Sequence, residues 1–286
     1  MKNDPSEDQN NTGLGVISSV LLFLVGYEVV LLIVSFVTNI TIRSEVWQLT
    51  AWGFISSVGL IALSKLLMRS EKAPSTKLDF AVSRSSWARF SIGLLVGMLC
   101  FGVHLAIVGY FAGPIRFEFV PGIGVTAVLI YFTRFLSTSC MEELGFRGYA
   151  LRRLTGKMGV WPAVLLTALI FGLSHLLYGY ELRSIALGVI PGGILWGMSA
   201  IATRGLAVPI GLHAAWNFSN WTAGGRHETG LLRMIVEADV PEQAQAFGTG
   251  SYLAISAALT LAFWFIHRRN VQRAALLSSS LPDPVN

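Results

Sequence analysis

The chain has 286 residues, 53% of them hydrophobic and only 13% charged, where a soluble domain is nearer about 25% charged. With a mean hydropathy of +0.61, that deficit excludes an ordinary soluble domain and points to a polytopic membrane protein. The net charge of +5 then reads as the basic loops that orient such a protein, and nucleic acid is not an expected partner.

Apolar runs of about 20 residues are long enough to cross a bilayer as helices. Eight candidates follow one another at 14–37, 46–68, 90–112, 122–150, 160–178, 185–203, 206–222 and 251–266. The expected fold class is therefore an all-α, polytopic membrane helix bundle with both termini on one side. Its expected organisation is a disordered cytoplasmic tail at 1–12, three helices within 13–121 and a four-helix core at 122–222. An extracytoplasmic loop at 223–250, a last helix at 251–267 and a cytoplasmic tail at 268–286 complete it. The sixth and seventh spans, separated only by Arg204-Gly205, read as short or tilted. Within the long loop, Leu231-Leu232-Arg233-Met234-Ile235-Val236 reads as a short interfacial helix. The small residues of Gly188-Val189-Ile190-Pro191-Gly192-Gly193 read as a packing and kink element.

Lys and Arg decide the orientation. One side collects Lys2, Lys65, Arg69, Lys72, Lys77, Arg84, Arg89, Arg147, Arg152, Arg153, Lys157, Arg204, Arg268, Arg269 and Arg273, whereas Arg43, Arg116, Arg183, Arg226 and Arg233 fall on the other. The rule puts both termini in the cytoplasm and the end of the fourth span toward it. Trp161, Tyr178, Tyr180 and Trp221 near span ends read as an interfacial belt. Cys100 and Cys140 lie in apolar stretches and read as packed thiols, with no Cys-x-x-Cys spacing to suggest a metal.

Charge inside such a chain is costly, so the stretch Ser139-Cys140-Met141-Glu142-Glu143-Leu144-Gly145-Phe146-Arg147 carries the most information. An ionisable group at the centre of a membrane helix costs about 2.5–3.5 kcal/mol on insertion scales. Glu143 and Arg147 are four apart and share a helical face in the favourable order. Glu142 is rotated away, without a counter-ion in its own helix, and needs a partner elsewhere. Phe171-x-x-x-His175 and His213-x-x-x-Asn217 each place two residues one turn apart on later spans. A carboxylate or histidine can act as general base, and a histidine with an amide can donate to an oxyanion. Each also has a plain reading: glutamates that snorkel to the interface, and histidines that satisfy a backbone carbonyl. Glu28, His104 and Arg134 are further polar residues inside spans that can pair or line a cavity.

Glu142-Glu143-x-x-x-Arg147, Phe171-x-x-x-His175 and His213-x-x-x-Asn217, in that order, resemble the three motifs of the CAAX prenyl protease 2 and bacteriocin-processing (CPBP, or Abi) family of intramembrane proteases. The resemblance implies an eight-helix bundle with a polar cavity open toward the cytoplasm, in the cell membrane, that hydrolyses a membrane-associated, sometimes lipidated, peptide or protein. It implies Glu142 as the base that activates water with His175 beside it, and His213 with Asn217 as the oxyanion site. Glu143, Arg147 and Phe171 would support the helix end. Zinc stays open as a cofactor, with Glu142, His175 and His213 as the ligand set; a metal-free, glutamate-dependent mechanism is the other reading. Membrane lipid and a membrane-associated substrate are the expected partners. Two other functions remain open: a non-catalytic immunity or partner-binding protein on the same fold, and a proton-coupled transporter. Every Asp lies outside the proposed spans, which excludes a membrane aspartate dyad, and no Gly-x-Ser-Gly occurs.

Overall fold

A computed structural model describes residues 13–70, 83–225, 230–237 and 241–279. The tail expected at 1–12 and residues 280–286 lie outside the described residues. The elements in order are α1 (Gly13–Thr41), α2 (Glu45–Ser70), α3 (Arg84–Phe111), β1 (Ile115–Phe119), α4 (Val125–Glu143), α5 (Leu151–Met158) and α6 (Val160–Ser174). Then come α7 (Leu182–Thr203), α8 (Ala207–Thr222), β2 (Leu232–Val236) and α9 (Pro241–Ser279). A widened π-type stretch, Leu144–Ala150, joins α4 to α5, so the two run as one crossing. The protein is an all-α, polytopic membrane bundle. Among the described residues, six helices are long and apolar enough to cross a membrane. The other two crossings, α4–α5 and α8, carry the Glu142-Glu143 pair and His213 with Asn217. α8 falls short as an apolar span with 16 residues, and α4 carries Arg134, Glu142 and Glu143 within its 19.

The strands give the bundle two distinct ends. β1 pairs antiparallel with β2, Ile115 opposite Val236 and Phe119 opposite Leu232. That gathers the last turn of α3, the first turns of α4 and α9 and the last turn of α8 at one end. Residues 232–236 are therefore a strand, and 231–236 is not the interfacial helix expected from sequence. Leu232-Arg233-Met234-Ile235-Val236 alternates side chains across a ribbon, and Glu118 faces Arg233 while Arg116 pairs with Glu237. The last helix is also much longer than residues 251–267, running from the sheet end to Ser279. The other end is tied by Arg89 Nη1 donating to the Thr203 carbonyl (3.3 Å), by Asn270 Nδ2 donating to Ala202 (3.3 Å) and by Trp161 packing on Trp264. Its described charges are all basic; the sheet end carries both signs.

Small residues let α3 and α8 cross closely, the usual device when lipid offers no hydrophobic drive to association. A methyl added at Gly211 would sit 2.4 Å from the Phe90 carbonyl, one at Gly93 2.4 Å from the Val208 carbonyl, and one at Gly97 2.6 Å from Ala215 Cβ. Both obstacles at Gly93 and Gly211 are backbone, so neither can rotate away. Gly211→Ala is expected to lower the detergent melting temperature and the yield of folded protein, since overpacking costs about 1–3 kcal/mol. An unchanged melting curve would show that the crossing can widen. Trp221, read from sequence as a belt residue, is instead buried and stacks on Tyr131 with centroids 4.3 Å apart.

Candidate active site

The centre of the site is the join between α4 and the widened turn. Glu143 closes α4 and Arg147 lies in the π-type stretch, with both side chains fully buried. The turn can sit deep in the bundle because Gly145 has no side chain: a Cβ there would lie 2.3 Å from the Tyr27 ring. Arg147 Nη1 lies 3.4 Å from Glu143 Oε1, Nη2 donates to the Gly193 carbonyl at 3.0 Å, and the guanidinium covers the Phe171 ring at 4.4 Å. The pairing read from the i, i+4 spacing is present. Gly193, read as part of a packing element, also supplies a carbonyl to that charge.

His213 lies between the two glutamates. Its Nδ1 donates to Glu143 Oε1 at 2.9 Å, and its Nε2 is 3.4 Å from Glu142 Oε2. The ring is held flat against Trp196, centroids 3.7 Å apart and planes 11° from parallel. This corrects the sequence reading in one respect: Glu142 is not the only carboxylate facing His213. The two ring nitrogens point to opposite sides, so adjacent glutamates reach one each. With Nδ1 donating to Glu143, the contact between Nε2 and the Glu142 carboxylate is attractive only when a proton lies between them.

His175 caps the C-terminal end of α6. Its Nδ1 lies 2.8 Å from the Phe171 carbonyl, which can only accept, so Nδ1 carries a hydrogen, and in the neutral ring the lone pair is on Nε2. Phe171 packs against four rings of the site. Its ring centroid is 4.7 Å from that of His175, 5.0 Å from Phe146, 5.9 Å from Trp196 and 6.4 Å from His213.

Glu142, His175, His213 and Asn217 all line one cavity of about 560 Å³, within the range of about 300–1,000 Å³ usual for ligand sites. Trp196, His104, Trp216, Tyr180 and Tyr252 also line it. From sequence, His104 was read as able to pair or line a cavity and Tyr180 as a belt residue, while Trp196, Trp216 and Tyr252 had no assigned role. His104 accounts for one of the polar residues read inside spans: its Nδ1 is 2.8 Å from Ser251 Oγ, and its ring packs against Trp216. Tyr252 donates to the Gly188 carbonyl at 2.7 Å, fixing α9 against the widened first turns of α7. Arg134 lies apart, its guanidinium over Phe135 at 5.1 Å and Tyr131 at 5.8 Å.

The cavity's exposed lining residues are Tyr180, Glu181, Arg183, Ser184, Leu187 and Gln245. They sit around the start of α7 and the start of α9, so the mouth is at the sheet end. The expectation of a cavity open toward the cytoplasm, the basic end, came from the family resemblance together with Glu142 falling late in the fourth span; the depth of one helix does not determine which end of the bundle opens. The zinc alternative was tested on the donor set. Among the described residues no group of three or more His, Cys, Asp or Glu side chains is arranged to hold one ion. Both His213 nitrogens are already directed at carboxylates. Glu142, His175 and His213 thus do not fit a three-ligand centre as they stand, and no step below runs through a metal.

A multi-pass bundle that gathers glutamates, histidines and an amide around a polar cavity is an integral membrane protein with a buried polar site. Residues 124–219 match the family model Rce1-like, described as Type II CAAX prenyl endopeptidase, consistent with a CPBP family intramembrane protease. The matched segment runs from the start of α4 through Asn217 and leaves α1–α3 and α9 outside it. No curated protein matches the chain.

Proposed function

We propose that this protein is an intramembrane endopeptidase that hydrolyses a peptide bond in a membrane-associated polypeptide through a water activated by Glu142. The observation that carries the reading is the Glu142–His213–Glu143 array, opening onto a cavity large enough for a polypeptide segment. Glu142 is the carboxylate with access to the cavity, its side chain 22% exposed where that of Glu143 is 0%.

Glu142 takes a proton from water as the oxygen attacks the scissile carbonyl. The tetrahedral oxyanion accepts hydrogen bonds from Asn217 and from His213 Nε2–H, which is released from Glu142 once that carboxylate has taken the water's proton. The C–N bond then breaks, and the proton held by Glu142 passes to the leaving amine, giving a carboxylate and a free amine. Glu143 holds His213 by Nδ1 and Trp196 holds its plane, so the donor is oriented before the substrate arrives. His175, with its Nε2 lone pair, serves as a second acceptor for the attacking water.

Asn217→Ala is expected to lower kcat about 100- to 1,000-fold, the usual effect of removing one oxyanion donor, with KM little changed. A change confined to KM would move Asn217 from the oxyanion to substrate binding. Because side chains supply the base and the donors, activity of purified protein should persist after exhaustive chelation and dialysis. Loss of activity restored by added zinc would overturn the metal-free mechanism. The reading as a whole is tested by incubating purified protein in liposomes with membrane-anchored peptides: site-specific cleavage supports it, and intact peptide throughout the panel contradicts it.

A further inference from the structure

We infer that the site takes its substrate from the extracytoplasmic face of the membrane, as a polypeptide segment exposed there at the bilayer surface. This deepens the peptidase reading and rests on it for the chemistry, but the argument comes from charge and geometry. The two ends of the bundle differ in charge. Among the described residues, the end away from the sheet carries Lys65, Arg69, Lys157, Arg204, Arg269 and further basic residues with no acidic one. The sheet end carries Arg43, Arg116, Arg183 and Arg233 against Glu45, Glu118, Glu181, Glu237 and Glu242. Lys and Arg in short loops are retained in the cytoplasm, whereas acidic residues contribute little to orientation. The basic end is therefore cytoplasmic and the sheet end extracytoplasmic.

The cavity mouth belongs to the sheet end. Glu181 and Arg183 begin α7, and Gln245 lies in the second turn of α9, whose preceding strand β2 pairs with β1. The rim is built for a bilayer surface. Leu177 (73% exposed) and Leu182 (68%) are outward, while Tyr178 packs edge-on against Trp52 with centroids 6.3 Å apart. Apolar side chains facing outward, aromatic rings at the rim and charges of both signs at the mouth describe a site at the membrane–water boundary. A polypeptide lying along that boundary meets the mouth directly. One anchored in the cytoplasmic leaflet would have to pass the bilayer to reach it.

The test places single cysteines in the full-length protein, expressed in intact bacterial cells, and treats them with a membrane-impermeant maleimide. Wild-type protein, whose Cys100 and Cys140 lie within the helices, sets the background. Arg183→Cys and Gln245→Cys, on the two sides of the mouth, are expected to label fully in intact cells. Arg269→Cys is expected to label only after the membrane is opened. The reverse pattern would overturn the inference, and two mouth positions keep the result readable if one variant does not accumulate. The labelling does not depend on turnover, so it can fail while the peptidase reading stands. Conversely, labelling as expected with equal cleavage by wild type and Glu142→Gln would retain the orientation and reject the chemistry. A second arm tethers one peptide to either leaflet of liposomes holding the protein in a known orientation: cleavage restricted to the sheet-end leaflet supports the inference, and cleavage restricted to the other leaflet contradicts it.

Discussion

Glu142→Gln is expected to abolish peptide cleavage while leaving the melting temperature of the purified protein close to wild type. The amide preserves the shape and some hydrogen bonding toward His213 Nε2 but cannot accept a proton from water. General acid–base catalysis contributes about 100- to 10,000-fold, and here one group serves both in attack and in protonation of the amine. The loss should therefore appear in kcat and not in KM. The fold is spared because Glu142 is the partly exposed member of the pair and makes no contact with Arg147 comparable to that of Glu143. Equal turnover by the variant would remove Glu142 from the mechanism and leave His175 as the acceptor.

The second large effect is structural. Arg147→Met is expected to destabilise the protein by about 3–5 kcal/mol, the usual cost of removing one partner from a buried ion pair. Three contacts disappear together: the pair with Glu143, the bond to the Gly193 carbonyl and the cover over Phe171. Glu143 is then left buried with His213 as its remaining polar partner. The double variant Arg147→Met/Glu143→Gln, which removes the uncompensated charge, should recover part of that loss when melting curves are compared. If the two substitutions simply add, the pair is not coupled. Glu143→Gln alone should also lower kcat, because the carboxylate that orients His213 is lost; a purely structural role would leave kcat of the folded fraction unchanged.

Much of this was readable from the chain. The apolar runs gave the bundle and its crossings, and the i, i+4 spacing gave the Glu143–Arg147 pair, since both depend on local periodicity. The three polar segments named Glu142, His175, His213 and Asn217, and all four line the cavity. The missing parts are long-range. The contact of His213 with Glu143 spans 70 positions, and no pattern along α4 distinguishes a carboxylate that neutralises one group from one that serves two. Trp196 looked like any aromatic in an apolar helix, and only the tertiary fold lays it on an imidazole. The β1–β2 ribbon was missed because residues 231–236 are apolar enough for an interfacial helix, and their strand partner lies more than a hundred residues away. The same ribbon establishes which end of the bundle holds the mouth.

The most direct measurement is mass spectrometry of a membrane-anchored peptide incubated with liposome-reconstituted protein in water enriched in ¹⁸O. The expected result is a cleaved product whose new carboxyl group carries ¹⁸O, present with wild type and absent with Glu142→Gln of unchanged melting temperature. Equal labelled product from both proteins, or peptide left intact by the wild type, would contradict a Glu142-activated hydrolysis.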